Sequence, residues 1–285
     1  MRPVPTLVLL IALGLGASGC LGGQPGRAEA VTIHSTWQAG ELPPDSMETM
    51  REALADMGAG EPEDPGSLTA LCRITMGNPS ALVRAEALDA AWKLGARIPG
   101  ETYRVDTVDS VAFNERALRL DRMLDGEEVG DGEDLDALID WVGGFRFPPS
   151  RVALALDLAE AVSSRALVEQ GAVGEAFQRH VGGSLRHALT LVTMYAADDK
   201  SAVVRQSAAA GARSMAPEAA LVMLAGMMQR EPEAQVVFEG IDSLWALRAA
   251  LAPDDLRRLL EPLQLSHDVA VRQRAEDLAA SLSRG

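Results

Sequence analysis

The sequence predicts an all-α fold, an α-solenoid of stacked antiparallel helix pairs, behind an export signal and a flexible tether. Three observations predict it. From Asp45 onward, apolar residues recur at helical spacing almost throughout the chain. The faces they form return at regular intervals, with starting valines Val204, Val237 and Val271 separated by 33 and 34 residues, within the range of helical repeat arrays. Alternating, strand-like runs are almost absent.

Residues 1–19 carry one positive charge at Arg2, an apolar run LVLLIALGLGA from Leu7 to Ala17, and small residues up to Cys20. This is the layout of a secretory signal peptide. The run is too short for a bilayer span, which needs about 20 apolar residues. Within it, ASGC at Ala17–Cys20 resembles the lipobox of bacterial lipoproteins, with alanine where that family most often has leucine. The resemblance implies removal of residues 1–19 and lipidation of Cys20 as the new N-terminus, a palmitate-type anchor in the cell envelope. No aspartate follows Cys20, which under the resemblance favours the periplasmic face of an outer membrane. Ala17 with Gly19 also suits an ordinary signal peptidase, and AEA at Ala28–Ala30 is a second such site; either would leave a periplasmic or secreted protein.

Residues 20–44 are rich in Gly, Pro and small polar residues without a sustained period, and read as a flexible tether. His34 and Trp37 lie within it and are its candidates for docking on the body or on a partner. Residues 45–285 form the repeat body.

The formal net charge of −15 argues against nucleic acid, whose phosphates require a basic footprint, and against electrostatic adhesion to anionic lipid. The chain has two cysteines. With Cys20 lipidated, no internal disulfide can form, so stability must come from a core. Cys72, in SLTALCRITM beside Leu68 and Leu71, reads as a small buried hydrophobe, with no histidine near it in sequence to activate a thiol.

Along the body, Val83, Ala87, Ala90, Ala91 and Leu94 make the first face, and Phe113, Ala117, Leu120 and Leu124 the next. Residues 97–197 read as degenerate repeats with insertions, their faces carried by Val152, Leu156 and Ala159 and by Val181, Leu185, Ala188, Leu189 and Val192. Gly182 and Gly183 read as a helix end between His180 and His187. Three further faces follow: Val204, Ala208, Gly211, Ala212 and Met215; Val237, Ile241, Leu244 and Trp245; Val271, Ala275, Leu278, Ala279 and Leu282. Pro217 and Pro253 mark first helical turns, where a missing N–H costs nothing. Trp92, Trp141 and Trp245 on apolar faces read as buried, and Met215, Met223, Met227 and Met228 as core packing.

NPSALVRAEALDAAWKLG, DDKSAVVRQSAAAGARSM and SHDVAVRQRAEDLAASL each place a polar turn, then Val-Arg, then small residues. These segments resemble the first half of a HEAT-like repeat; APEAALVMLAGMMQRE and APDDLRRLLEPLQL resemble the second. The resemblance covers residues 67–95 and 198–285, with Phe238 in place of the repeat arginine. It implies that Arg84, Arg205 and Arg272 are structural, pairing with loop residues of their own or the neighbouring repeat, for which Asn78, Asp198, Asp199 and Asp268 are the candidates. It also implies a concave face, lined mainly by second helices, that holds a protein or peptide. The outward polar positions of those helices, Arg186, His187, Gln229, Arg230, Arg257 and Arg258, are the candidate partner-binding residues.

DGEEVGDGEDLDALIDW, from Asp125 to Trp141, is densely acidic. With Gly130 as the sixth position of a calcium loop, Val129 falls where an oxygen ligand is needed, so a solvated loop leading to an N-cap at Asp134 is the simpler reading. His34, His180, His187 and His267 form no metal-ligand spacing, and no nucleophile elbow, P-loop or dinucleotide fingerprint occurs. The sequence thus points to a membrane-anchored envelope scaffold without cofactor or enzymatic activity. The alternatives are a cell-wall or polysaccharide binder using Trp37, or a soluble exported accessory subunit of an enzyme.

Overall fold

The structure is a computed structural model and describes residues 27–38, 46–60, 65–98 and 171–282, with positions 152, 155, 156, 159 and 160. The signal segment with Cys20, the Phe113–Leu124 face, the acidic segment and Trp141 lie outside the described residues.

Ten helices are described: α1 (Arg27–Gln38), α2 (Ser46–Ala59), α3 (Pro65–Gly77), α4 (Ala81–Gly95), α5 (Gly171–Ala196), α6 (Ala202–Gly211), α7 (Pro217–Met228), α8 (Ala234–Leu247), α9 (Pro253–Leu260) and α10 (Val269–Leu282). Short 3₁₀ turns follow α6 at Ala212–Ser214 and α9 at Leu263–Leu265. Local sequence sets these limits. Pro217 and Pro253 open α7 and α9, their fixed φ suiting the first turn. Ser80 caps α4, its Oγ accepting from the Val83 N–H, and the Asp268 carboxylate caps α10 by accepting from the N–H groups of Ala270 and Val271.

The even-numbered helices α2, α4, α6, α8 and α10 form one continuous row, each packed on the next, and each carries the odd-numbered helix that precedes it. This is a helical solenoid of stacked pairs. The faces anticipated from spacing are its interior: Val83, Ala87, Ala91 and Leu94, Val204 and Ala208, Ile241 and Leu244, Val271, Ala275 and Leu278 are all buried. So are Met215, Met223, Met227 and Met228. Small residues let the row close up. Gly211 of α6 faces the Trp92 indole of α4, and a Cβ at Gly240 of α8 would lie 2.7 Å from the Met228 sulphur, so neither position can carry a side chain without displacing its neighbour. Trp92 also donates to Thr193 Oγ1 at 2.9 Å, which ties α5 to the same joint.

Four features differ from the sequence expectation. Residues 27–38, read as tether, are helix α1, with Ala30 and His34 buried against α2 and α3. Gly182 and Gly183 do not end a helix; α5 runs through them, because neighbouring helices cover this stretch and packing outweighs the local cost of glycine. α4 packs directly on α6, and Arg84 pairs with Asp199, 115 residues away in the chain, so the row passes from one to the other without an intervening repeat. Trp245 is half-buried, its ring under the guanidinium groups of Arg274 and Arg248 at 4.7 and 5.6 Å.

His34 closes the N-terminal end of the loop edge. Asn78 Oδ1 accepts the Ser80 N–H at 2.9 Å, which leaves the Asn78 amide NH₂ to donate to His34 Nδ1 at 3.1 Å. That bond requires a neutral ring with its proton on Nε2. Burial lowers the His34 pKa from 6.5, so as pH falls below 6.5 the unfolded chain takes up the proton first and stability is lost. Thermal unfolding compared at pH about 7.5 and 5.5 should show a smaller acid-induced drop for His34→Gln than for the wild type. Equal drops would remove His34 from this account.

Candidate functional site

The loops entering α4, α6, α8 and α10 share one register. The residue four places after each cap bonds the cap's carbonyl through its N–H: Arg84 to Ser80, Arg205 to Ser201, Val237 to Glu233 and Arg272 to Asp268. Two places before the cap, Asn78, Asp199, Glu231 and Ser266 each accept the cap's own N–H on a side-chain oxygen. The first set supplies donors to a ladder along the row, and the second supplies acceptors.

Two rungs are complete. Arg84 Nη1 donates to the carbonyls of Asn78 and Pro79 at 2.7 and 3.2 Å, while Nε and Nη2 reach across to Asp199 at 3.0 and 2.9 Å. Arg205 repeats the pattern one pair later, with Nη1 on the carbonyls of Asp199 and Lys200 and a bidentate pair to Glu231 at 2.6 and 2.7 Å. The Glu231 side chain is only 2% exposed and that of Arg205 15%. Burial opposes the ionised Glu231 carboxylate, but the Arg205 hydrogen bonds, the Glu233 N–H and the Arg205 charge outweigh it and hold its pKa below the usual value. The same hydrogen bonds raise the pKa of Arg205 against its own burial.

The third rung is missing on both sides. Val237 stands in the donor position and Ser266 in the acceptor position. This corrects the sequence register, which placed Phe238 there. Helix α8 starts one residue earlier relative to the Val-Arg pattern, so Val236 occupies the buried place of Val83 and Val204. Where the rung would lie there is a cleft of about 510 Å³. Val237, Met228, Pro232, Leu259 and Val271 are among its apolar lining, with Glu231, Ser266, His267 and Asp268 among its polar components. Leu265, also in the lining, is 80% exposed.

The six candidate partner-binding residues do not converge. Gln229 lines the cleft. Arg230 reaches back to the Gly226 carbonyl and Asp198. Arg257 and Arg258 pair with Asp254 and Asp255 of their own helix, and Arg186 donates to the Ala96 carbonyl. His187 is buried, not outward-pointing, because the unbroken α5 turns it into the stack. Of the loop acids, Asp199 is the rung partner, whereas Asp198 pairs with Arg230 and Asp268 serves as a helix cap. Glu231, the buried acid of the second rung, escaped the sequence reading. Its signal was its place two residues before a helix start, matching Asn78 and Asp199. Arg272 donates Nη1 to the Ser266 carbonyl at 2.7 Å, as the other ladder arginines do to theirs.

A second contact recurs across the row, six residues after each cap. Glu86 accepts from Arg51, Ser207 hydrogen-bonds Asp89, Glu239 pairs with Arg213, and Arg274 donates to Asp242 at 2.6 Å. Burial raises the Asp89 pKa, partly offset by the Ser207 hydrogen bond. Elsewhere, Cys72 is fully buried and burial pushes its thiol pKa up to about 12, which disqualifies it as a nucleophile near neutral pH. Among the described residues no cluster of three or more His, Cys, Asp or Glu side chains could hold a metal ion.

No protein-family model and no curated protein matches the chain. Among solved structures, a designed armadillo repeat protein is similar at 19% identity and a TM-score of 0.30, over 91% of this chain and all of that one. At that score the likeness carries no argument, and the helical stacking above stands on its own contacts.

Removing one partner of a buried ion pair strands the other, at a cost of about 3–5 kcal/mol, whereas replacing both with apolar residues is close to neutral. Arg205→Met alone should therefore destabilise the chain by about that amount in chemical denaturation, and adding Glu231→Leu should recover most of the loss. Additive losses would mean that the rung is not a coupled unit.

Proposed function

We propose that this chain is an interaction scaffold that holds a protein or peptide partner against its helical stack. The observation that carries the reading is the interruption of the ladder between α8 and α10. A row otherwise stapled at its loop edge opens there into a cleft with apolar walls and an exposed rim residue at Leu265. Exposed apolar surface beside a concave, part-polar cleft is a common setting for recognition. Stacked helical repeats also present surfaces far longer than their own thickness, which suits segments of other chains.

The scaffold reading extends to an anchored protein of a bacterial cell envelope, on the periplasmic face of an outer membrane, held by lipid on Cys20. The tripartite first twenty residues support this, and a lipid anchor also fits a body whose described residues include no helix long and apolar enough to cross a membrane.

Two measurements test the two parts. Peptides selected from a random displayed library should bind the mature chain, and Leu265→Ser, which removes apolar surface at an exposed position without adding charge, should weaken most of them. A library yielding no binder would overturn the scaffold reading. For the anchor, intact mass of the mature N-terminus in membrane and soluble fractions should show an acylated Cys20 in the membrane that disappears in Cys20→Ala. A bare N-terminus at Cys20, Leu21 or Val31 would make the protein soluble and exported.

A further inference from the structure

We infer that the cleft between α8 and α10 recognises an arginine side chain from the partner, which completes the missing rung from outside. The inference rests on the scaffold reading and specifies what the scaffold grips.

The two intact junctions show what this position is built to hold. In each, a guanidinium lies between consecutive loops, with one nitrogen on two carbonyls of the preceding loop and its opposite edge on the loop that follows. At the third junction the register is unchanged. The residues equivalent to the accepting carbonyls are Glu231 and Pro232, both lining the cleft. Their carbonyls accept no hydrogen bond among the described residues, whereas the equivalent pairs, Asn78 with Pro79 and Asp199 with Lys200, are both filled. Val237 supplies no donor, so space and acceptors remain where the side chain has been withdrawn.

The lining fits the whole of the missing residue. Met228, Leu259, Leu263 and Val271 offer apolar surface to an aliphatic stem. Asp268 uses Oδ1 to cap α10 and has no further partner among the described residues for Oδ2, so it presents a carboxylate oxygen on the far side. The chain's net charge of −15 favours a basic partner segment. A planar fork can reach two carbonyls and a carboxylate at once; an ammonium is a single point charge and cannot reproduce that arrangement. An uncharged apolar plug would leave the loop carbonyls buried and unpaired.

Fluorescence anisotropy on the mature chain tests this with a labelled hexapeptide, Gly-Ser-Leu-Arg-Leu-Gly, and the same peptide with citrulline, which keeps the shape but loses the charge. The arginine peptide should bind saturably, and about tenfold or more tighter than the citrulline peptide, the range of a charged hydrogen-bonded contact. Val237→Arg, which places a guanidinium in the cleft from within the chain, should abolish binding. Should that variant fold poorly, Asp268→Asn keeps the α10 cap and should weaken the arginine peptide while leaving the citrulline peptide unchanged; Asp254→Asn, on α9, should change neither. Equal affinity of the two peptides, undiminished binding to Val237→Arg, or no saturation at millimolar peptide would each overturn the inference. Library-selected peptides that compete for the cleft without containing arginine would overturn it too, yet leave the scaffold reading intact.

Discussion

The interaction on which the stack depends is the guanidinium held between consecutive loops. Arg84 and Arg205 each bind the carbonyls of their own loop and a carboxylate of the next, so each fixes the loop's shape and the helix pair's position together. The carboxylate is itself held by the N–H of the following cap residue, which ties the start of one helix to the side chain of the previous one. Apolar contact between helix faces is non-directional. A planar fork meeting two oxygens is directional, so the ladder adds a fixed register to the packed interface.

The same constraint explains why the long segment between α4 and α5 does not disturb the row. Arg84 and Asp199 join across it through the same two guanidinium nitrogens, Nε and Nη2, that Arg205 uses on Glu231. Trp92 over Gly211 and its bond to Thr193 add a packed joint at the same interface. The unit of this architecture is therefore the junction between helix pairs, and chain length between junctions is free to vary.

Much of this was legible in the sequence, because Val-Arg followed by small residues serves both the buried face and the ladder. Val83, Val204 and Val271, with the proline starts of α7 and α9, could be read directly. The misreadings share one cause: local signals were weighed without the neighbours that overrule them. In Val236-Val237-Phe238 an apolar face can be drawn in two registers, and only the start of α8 after Glu233 selects one. Gly182 and Gly183 look like a break, but the packing around α5 carries the helix through and buries His187. Residues 27–38 have too little periodicity to announce a helix, yet Ala30 and His34 find a groove in the body. Glu231 was hidden because nothing in its immediate sequence distinguishes a buried rung acid from an exposed loop acid.

The missing rung is best understood as a contact that has moved. Had only Arg or only its acid been lost, a charge would be stranded at a tight junction; with Val237 and Ser266 both neutral, no such penalty arises. The adhesion between α8 and α10 lies instead on another side of the helices. There Arg274 bonds Asp242 and spans the rings of Phe238 and Trp245, and the charge order is reversed relative to Arg51–Glu86 and Arg213–Glu239. A guanidinium donated by the later helix and seated on aromatic faces holds the junction without help from the loop edge. That frees the loop edge to open. The cleft is thus compatible with a stacked fifth pair, because its walls are helix ends and a capped loop and not the face that joins α8 to α10.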